Sequence, residues 1–497
     1  MTVAIPQLSF EQRLDRAPLT PAMGLLWLLS AGLIALDGFD FFVIGVAIPF
    51  LKRDFGLDAA TLGAVATAAV VGSLVGSITL GPITDQVGRK PMLIVDVALF
   101  VVATAGTALA WNAASLIAFR FLVGVAIGAD YPISVAYITE NVPARYRGRL
   151  VIGAFTFQAV GAMLGALTGV AVITLFQAIY PDPEPMAVQY AWRWMLGVGV
   201  ILALVVAAVR LSVQLESPRY HISRGEYDAA AATASQLLGE PITITAEDEP
   251  PPETEPVALA TLFTSTYRRP TILASLPWFL QDIATYGIGI FTPVIIAKLA
   301  LSTETDFLVR EIKSAQGAAL VDVFLIVGFL CAVVLVERWG RMRLQILGFI
   351  GMAVGLLLLA GSGRVASGSS VETGLVLGGF LVFNLMMNAG PNATTFLLSG
   401  EVFPTHLRAT GAGFAASFAK AGAVLGTFVL PIFTKSWGIP PLLVGLAIIC
   451  LLAALTTQRF RIETTGQSLE AVQGWEPSQP TDSDVLLVIP QSKEAQP

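Results

Sequence analysis

Apolar runs of about twenty residues recur along the whole of this 497-residue chain, and they restrict its fold more than any other feature. A helix needs roughly 20 predominantly apolar residues to cross the hydrocarbon core of a bilayer. Inside lipid, every backbone N–H and C=O must be satisfied within the spanning element itself. Scanned at that length, the first half of the chain gives six runs, at roughly 24–51, 61–82, 91–110, 115–138, 150–178 and 190–214. Six more follow, at roughly 270–298, 316–336, 344–362, 372–399, 411–434 and 440–460. With 55% hydrophobic and 13% charged residues, the chain has too much apolar surface for a soluble fold to hide. It is expected to be an all-α membrane protein with twelve transmembrane helices.

Charge in the short loops sets the orientation. Arg89 and Lys90, then Arg145, Arg147 and Arg149, then Arg338, Arg341 and Arg343 fall on one side of a twelve-helix arrangement, and that side is expected to be cytoplasmic. The N-terminal MTVAIPQLSFEQRLDRAPLT lacks the basic-then-apolar order of a signal peptide, so the first run reads as a retained helix. The domain reading follows: a cytoplasmic tail over 1–20, a six-helix bundle over 21–215, a cytoplasmic linker over 216–268, a second bundle over 269–461 and a cytoplasmic tail over 462–497. The linker holds the acidic AEDEPPPETEP and a short helix around EYDAAAATASQLL.

The two halves repeat each other. GPITDQVGRK (81–90) follows the second run and VERWGRMR (336–343) the eighth, while ENVPARYRG (140–148) follows the fourth and EVFPTHLRA (401–409) the tenth. Glu140, Pro143 and Arg147 share one spacing with Glu401, Pro404 and Arg408. Matched landmarks at matched places imply two six-helix bundles related by duplication, the architecture of alternating-access transporters.

Several other chemistries are excluded. Cys331 and Cys450 lie inside apolar runs, so neither a disulfide framework nor a thiolate metal site is expected. His221 and His406 flank the polar side, which leaves no histidine for a metal centre or proton relay within the membrane. The net charge of −6 is spread over loops and tails and points to no nucleic-acid partner. There is no phosphate-cradling glycine loop and no nucleophile–base pair in the helices, so neither an enzyme nor a cofactor is expected.

The charged residues that remain inside apolar runs need a reason, since each costs about 2.5–3.5 kcal/mol at mid-membrane on insertion scales. They are Asp37 and Asp40 in the first run, Arg120 and Asp130 in the fourth, Asp282 in the seventh and Lys420 in the eleventh. Asp37, Asp40 and Asp130 are the natural proton carriers, because no basic residue in the first run neutralises its pair of acids. Arg120 is expected to partner the terminus of a neighbouring helix, and Asp96 and Asp322 to be structural or water-facing acids. Gly124 and Gly128, four apart, suit close helix packing. The duplication also works as a depth gauge. Tyr131 lies nine residues before Glu140 and Asn392 nine before Glu401, while Gln158 and Lys420 lie eighteen and nineteen residues after those acids. Each pair is therefore expected at one depth in equivalent helices. On the seventh run, a spacing of four stacks Trp278, Asp282 and Tyr286 on one face.

Several of these stretches resemble a known group. GPITDQVGRK is similar to the loop signature of the major facilitator superfamily, with Gln86 where a basic residue is usual, and ESPRYHISRG (216–225) to a motif of its sugar-porter-like members. GADYPIS (128–134), WFLQDIATYG (278–287) and GPNATTFLLSGEVFPTHLRATGAGFAASFAKAGA (390–423) resemble the phosphate:proton symporters. The resemblance implies the major facilitator fold, with helices 1, 4, 7 and 10, and also 5 and 11, lining a central cavity. It implies substrate contacts at Tyr131, Gln158, Trp278, Asp282, Tyr286, Asn392 and Lys420, and proton-coupling roles for Asp130 and an acid of LDGFD, that is Asp37 or Asp40. It implies that Asp85 and Arg89 hold helix ends together, and the matched loops nominate Glu140, Arg147, Glu401 and Arg408 for similar gating contacts. Neutral donors around one lysine suit a small oxyanion, to whose protonated oxygen Asp282 can offer an acceptor. A purely structural Asp282–Lys420 pair is the alternative. The expected function is proton-coupled import of a small anion, inorganic phosphate first, by a monomer in the cell membrane, with no metal and no cofactor. ALDGFDFFVIG also resembles aromatic-acid and related organic-anion symporters, and Ala129 and a shortened central loop depart from the phosphate group. A metabolite symporter of the same fold is therefore the second reading, and a non-transporting nutrient receptor or a channel the third.

Overall fold

A computed structural model of the chain describes residues 10–87, 89–212, 217–245, 259–301, 304–366, 368–403 and 405–464. The side chains of Asp85, Arg89, Asp130, Tyr131, Glu140, Arg147 and Arg408 lie outside the described part, as do the linker residues 246–258 and the tail beyond 464.

The described residues form helices and connecting turns, with no strand among them. After a short α1 (Phe10–Arg16), the first six spans are α2 (Pro21–Asp54), α3 (Ala59–Val87), α4 (Arg89–Ala108), α5 (Ala113–Asn141), α6 (Ala144–Ile179) and α7 (Pro183–Ser212). The linker contributes α8 (Pro218–Ser223), α9 (Tyr227–Leu238) and a 3₁₀ turn (Leu259–Phe263). The second set is α10 (Arg268–Leu299), α11 (Phe307–Trp339), α12 (Arg341–Ser362), α13 (Ser370–Ala389), α14 (Pro391–Glu401), α15 (Thr405–Ser436) and α16 (Ile439–Arg459).

Local chemistry sets these boundaries. Thr20 caps α2 by accepting from the Met23 N–H at 3.2 Å, with Pro21 in the first turn where its missing N–H is no loss. The Thr20 hydroxyl also donates to the Leu237 carbonyl at 2.7 Å and so ties linker helix α9 to the first span. Asn112 and Ser115 form a reciprocal capping box at the start of α5. Asp58 accepts from the Thr61 N–H at 2.8 Å as α3 begins, and the Thr61 bonds hold its carboxyl below the usual range.

The tenth run, expected as one helix, is two. The break falls at Gly390, because Pro391 supplies no N–H to the ladder and restricts the residue before it. Asn388 and Asn392 consequently lie on opposite sides of a helix break.

Helices α2 to α7 pack mainly on one another, as do α10 to α16. Three larger contacts join the halves, α6 on α11, α3 on α15, and α2 on α10, with smaller ones of α2 on α11 and α6 on α14. Spans 2 and 8 are repeat equivalents, as are spans 5 and 11, so the first two contacts are one contact repeated about a pseudo-two-fold axis. Within the first bundle, α3 and α5 approach at backbone distance. A Cβ added at Gly124 would stand 1.9 Å from the Ala69 carbonyl oxygen, and one at Gly128 would stand 2.1 Å from that of Ser73. The small-residue packing expected at Gly124 and Gly128 is thus what brings these helices together.

Asp96 and Asp322 are both buried, so the water-facing alternative for them does not hold. Cys331 and Cys450 are free thiols on separate helices, α11 and α16.

The α3–α5 contact gives the first prediction. Gly124→Val overpacks a site where backbone blocks relief, so it lowers the thermal midpoint of the detergent-purified protein by about 5 °C or more. Gly24→Ala, where the added Cβ meets nothing within 4 Å, leaves the midpoint within about 1 °C. Equal midpoints for the two variants would contradict this packing.

Candidate functional site

The centre of the molecule is organised by one buried ammonium. Lys420, on α15, donates to the Tyr286 hydroxyl at 2.7 Å, lies 4.5 Å from the centroid of that ring, and stands 4.0 Å from Asp282 Oδ2. Tyr286 and Asp282 are one turn apart on α10, so a single helix face supplies both partners. All three are buried. Asp282 Oδ2 accepts no hydrogen bond from any described residue, and it is an acceptor facing a compact point charge.

The first bundle reaches the same centre through α2. Asp37 interacts electrostatically with Lys420 and with Tyr286, and Phe41 meets the Tyr286 ring edge-on at 5.5 Å. Gln158 is half-buried on α6, where its backbone presses against Gly38: a Cβ added there would stand 2.0 Å from the Gln158 carbonyl oxygen. Gln158 is therefore beside the segment that carries Asp37. Tyr131 and Asp130 lie outside the described side chains.

Asp40 has a different partner from the expected one. The Arg120 guanidinium of α5 stands 3.2 Å from Asp40 Oδ2, and both side chains are buried. Arg120 thus pairs with an acid inside the first span rather than with a helix terminus. Arg120 lies about two turns into α5 from the end at which Asp40 lies past the middle of α2, so the antiparallel helices bring them level. The contact is ionic: among the described residues, none of the three guanidinium nitrogens has a hydrogen-bond acceptor in good geometry.

Aromatic rings stand on the linker side of the charge centre. Phe155 of α6 stacks on Phe396 of α14 at 4.1 Å, and Phe396 meets Trp278 of α10 edge-on at 4.6 Å. Each ring is about one turn nearer the linker than Gln158, Asn392 and Asp282 respectively, so the three join the bundles directly beneath the polar residues. Trp278 is buried in this stack. On the far side α2 and α10 touch, with a Cβ at Gly45 falling 2.0 Å from the Ile290 carbonyl oxygen. Phe50 and Phe307 meet at 5.2 Å, and the Arg53 guanidinium lies 3.5 Å from the Phe307 centroid. The bundles therefore touch on both sides of the centre.

Asn392 is held by amides the sequence reading does not name: its Oδ1 accepts from Gln281 at 3.0 Å, and its Nδ2 donates to Asn388 Oδ1 at 2.7 Å. Gln281 neighbours Asp282 in sequence, and a buried glutamine in an apolar run was the available signal.

At the linker end, Glu401 belongs to a network. Arg341 binds Glu337 at 2.9 Å and Glu401 at 3.1 Å, and Glu463 accepts from the N–H groups of Arg341 at 3.0 Å and Met342 at 3.3 Å. Gly340 makes this possible, since its φ of +84° turns α11 into α12. Glu337, Gly340 and Arg341 repeat the spacing of Asp85, Gly88 and Arg89, so the internal repeat already carried the signal for Glu337 and Arg341.

Comparisons with known proteins agree with this architecture. The profile of the family described as "Sugar (and other) transporter" matches residues 27–474. The chain is 29% identical over 460 residues to the inner membrane metabolite transport protein YgcS of Escherichia coli, covering 92% of this chain and 96% of that one. It is 30% identical to inorganic phosphate transporter 1-1 of rice, over 79% of this chain and 80% of that one. It is 27% identical to the 4-hydroxybenzoate transporter PcaK of Pseudomonas aeruginosa, over 86% and 89%. An inward-open structure of the xylose transporter XylE from Escherichia coli superposes with a TM-score of 0.72 at 20% identity, covering 91% of this chain and all of that one.

The buried pair makes a stability prediction. Lys420→Met leaves Asp282 without its cation and destabilises the protein by about 3–5 kcal/mol, and the double variant Asp282→Asn/Lys420→Met recovers most of that loss. Thermal unfolding of the purified variants reads both; losses that simply add would contradict the pairing.

Proposed function

Since the chain belongs to the sugar (and other) transporter family, we propose that it is a symporter that carries a small oxyanion, inorganic phosphate first, together with protons. The observation that carries the reading is the Lys420 ammonium, held by Tyr286 and Asp282 between bundles that touch on both sides. A neutral solute has no use for a buried cation, whereas an oxyanion takes charge-assisted bonds from Lys420 and neutral donors from Gln158, Trp278, Tyr286, Asn392 and Tyr131. Asp282, whose Oδ2 accepts no described hydrogen bond, takes the proton-bearing oxygen of the anion.

Proton coupling follows from charge balance. With both carboxylates ionised, Asp37 and Asp282 set two negative charges against the one on Lys420. A monovalent anion entering that closed space adds a third negative charge, in surroundings where like charges repel strongly. A proton on one carboxylate cancels the added charge, so anion and proton travel together. Asp40, ion-paired with Arg120, and Asp130 provide further proton positions along the first bundle. Rocking of the bundles opens one side at a time: the Phe155–Phe396–Trp278 stack with the Arg341–Glu401 network on the linker side, the α2–α10 contact on the other. The linker side is cytoplasmic, where Asp85, Arg89, Glu140, Arg147 and Arg408 join the same gate. The protein works as a monomer in the cell membrane, with residues 21–215 and 269–461 as its two moving bundles.

A second reading has its own support. Phe41, Phe155, Phe396 and Trp278 give the centre aromatic walls, and one relative is a 4-hydroxybenzoate transporter, so an aromatic carboxylate is the alternative anion.

Uptake of labelled phosphate into proteoliposomes tests the reading. Uptake rises as external pH falls from 8 toward 6, a protonophore abolishes it, and Asp282→Asn reduces it by about tenfold or more at equal protein per vesicle. Uptake indifferent to pH and protonophore contradicts the coupling; 4-hydroxybenzoate uptake without phosphate uptake selects the aromatic carboxylate.

A further inference from the structure

A chain of amides runs behind the charge centre and links four helices, α10, α14, α13 and α11. The Thr395 hydroxyl lies 3.3 Å from Gln281 Oε1, Gln281 Nε2 donates to Asn392 Oδ1 at 3.0 Å, Asn392 Nδ2 to Asn388 Oδ1 at 2.7 Å, and Asn388 Nδ2 to the Leu325 carbonyl at 3.0 Å. A side-chain amide is nearly symmetric in shape, so only its neighbours decide which end carries the donors.

One end of this chain is unambiguous. The Leu325 carbonyl can only accept, so Asn388 must turn its NH₂ toward α11 and its oxygen toward Asn392. Asn392 must then offer its NH₂ to Asn388, and its own oxygen is left for Gln281. The Thr395 hydroxyl at the other end shares its single proton between the Pro391 carbonyl at 2.8 Å and Gln281 Oε1 at 3.3 Å, so its hold on Gln281 is the weaker of the two ends. Gln281 and Asn388 are 0% and 1% exposed and cannot touch a solute, whereas Asn392 is only half-buried. Asn392 Nδ2 carries two N–H bonds, and Asn388 is the one described residue that takes either. The Gly390–Pro391 break lets one amide belong to α13 and the next to α14 while their side chains stay in contact.

We infer that Asn388 is a positioning residue: bonded to the Leu325 carbonyl, it fixes the Asn392 amide so that a donor, not an acceptor, is left for the solute. This rests on the reading that the solute is an oxyanion and explains how a neutral side chain enforces that choice. Without Asn388, Asn392 is free to turn, and a carbonyl oxygen presented to the solute repels an anion.

A double-mutant cycle on phosphate uptake tests this. Asn388→Leu keeps the volume and removes both bonds, and it raises the phosphate KM about tenfold while turnover per protein copy stays within about twofold. In an Asn392→Ala background the same substitution raises KM no further, because the group through which it acts is gone. An unchanged KM in Asn388→Leu, or an equal additional rise in the Asn392→Ala background, overturns the inference. So does a loss of transport that protein abundance fully explains. If the leucine variant is not recovered from membranes, Asn388→Ala carries the same cycle. Wild-type protein that transports no oxyanion overturns the substrate reading itself and this inference with it, and that result is in hand before any variant is made.

Discussion

A lysine ammonium buried between two membrane bundles is the constraint on which the rest of this structure depends. Lys420 cannot stay there uncompensated, since an isolated charge in low dielectric is among the costliest groups a protein can bury. Its compensation comes from three directions: the Tyr286 hydroxyl at 2.7 Å, the Asp282 carboxylate at 4.0 Å, and the field of Asp37 from the opposite bundle. The distances are unequal in a useful way. The tyrosine bond is short, whereas the carboxylate is near enough to stabilise the ammonium and far enough for an oxygen of a bound anion to intervene. A tightly bidentate pair would satisfy both charges and leave nothing for a ligand.

The fold exists to bring these groups level and to enclose them. Glycines let α3 approach α5 and α2 approach α6 and α10 at backbone distance, which brings Asp37 of one bundle near Lys420 of the other. Aromatic contacts between the bundles then cover the centre on both sides. Rings suit that duty because they separate without leaving unsatisfied polar groups, whereas each hydrogen bond broken in a dry interface carries a penalty. At the linker end the contacts are polar instead, with buried Arg341 held between Glu337 and Glu401.

Much of this was legible in the sequence, for identifiable physical reasons. Apolar run length fixed the helices because lipid leaves no other way to satisfy the backbone. The duplication carried the pairing of the halves, because equivalent helices begin at equivalent loops, and the contacts of α6 on α11 and α3 on α15 repeat accordingly. What escaped the sequence reading depends on rotation and on breaks, to which a linear count is blind. Arg120 meets Asp40 because two antiparallel helices of different length are packed side by side, not because of any spacing between them. The tenth run was read as continuous, although Gly390 and Pro391 mark the break in plain view. Glu337 and Arg341 repeat the spacing of Asp85 and Arg89, so the duplication itself points to their ion pair. Asp37 and Asp40, read as one pair, face different partners, since three residues turn the helix by about 300° and leave the two side chains about 60° apart and one turn apart in depth.

The central claim is that the Lys420 centre binds an oxyanion rather than a neutral solute. Equilibrium titration of the purified protein with phosphate, 4-hydroxybenzoate and xylose, alongside Lys420→Met, tests it most directly. Saturable binding of one of the two anions, lost in the variant, with no binding of xylose, is the predicted result. Binding of xylose that survives Lys420→Met, with neither anion bound, would contradict the account.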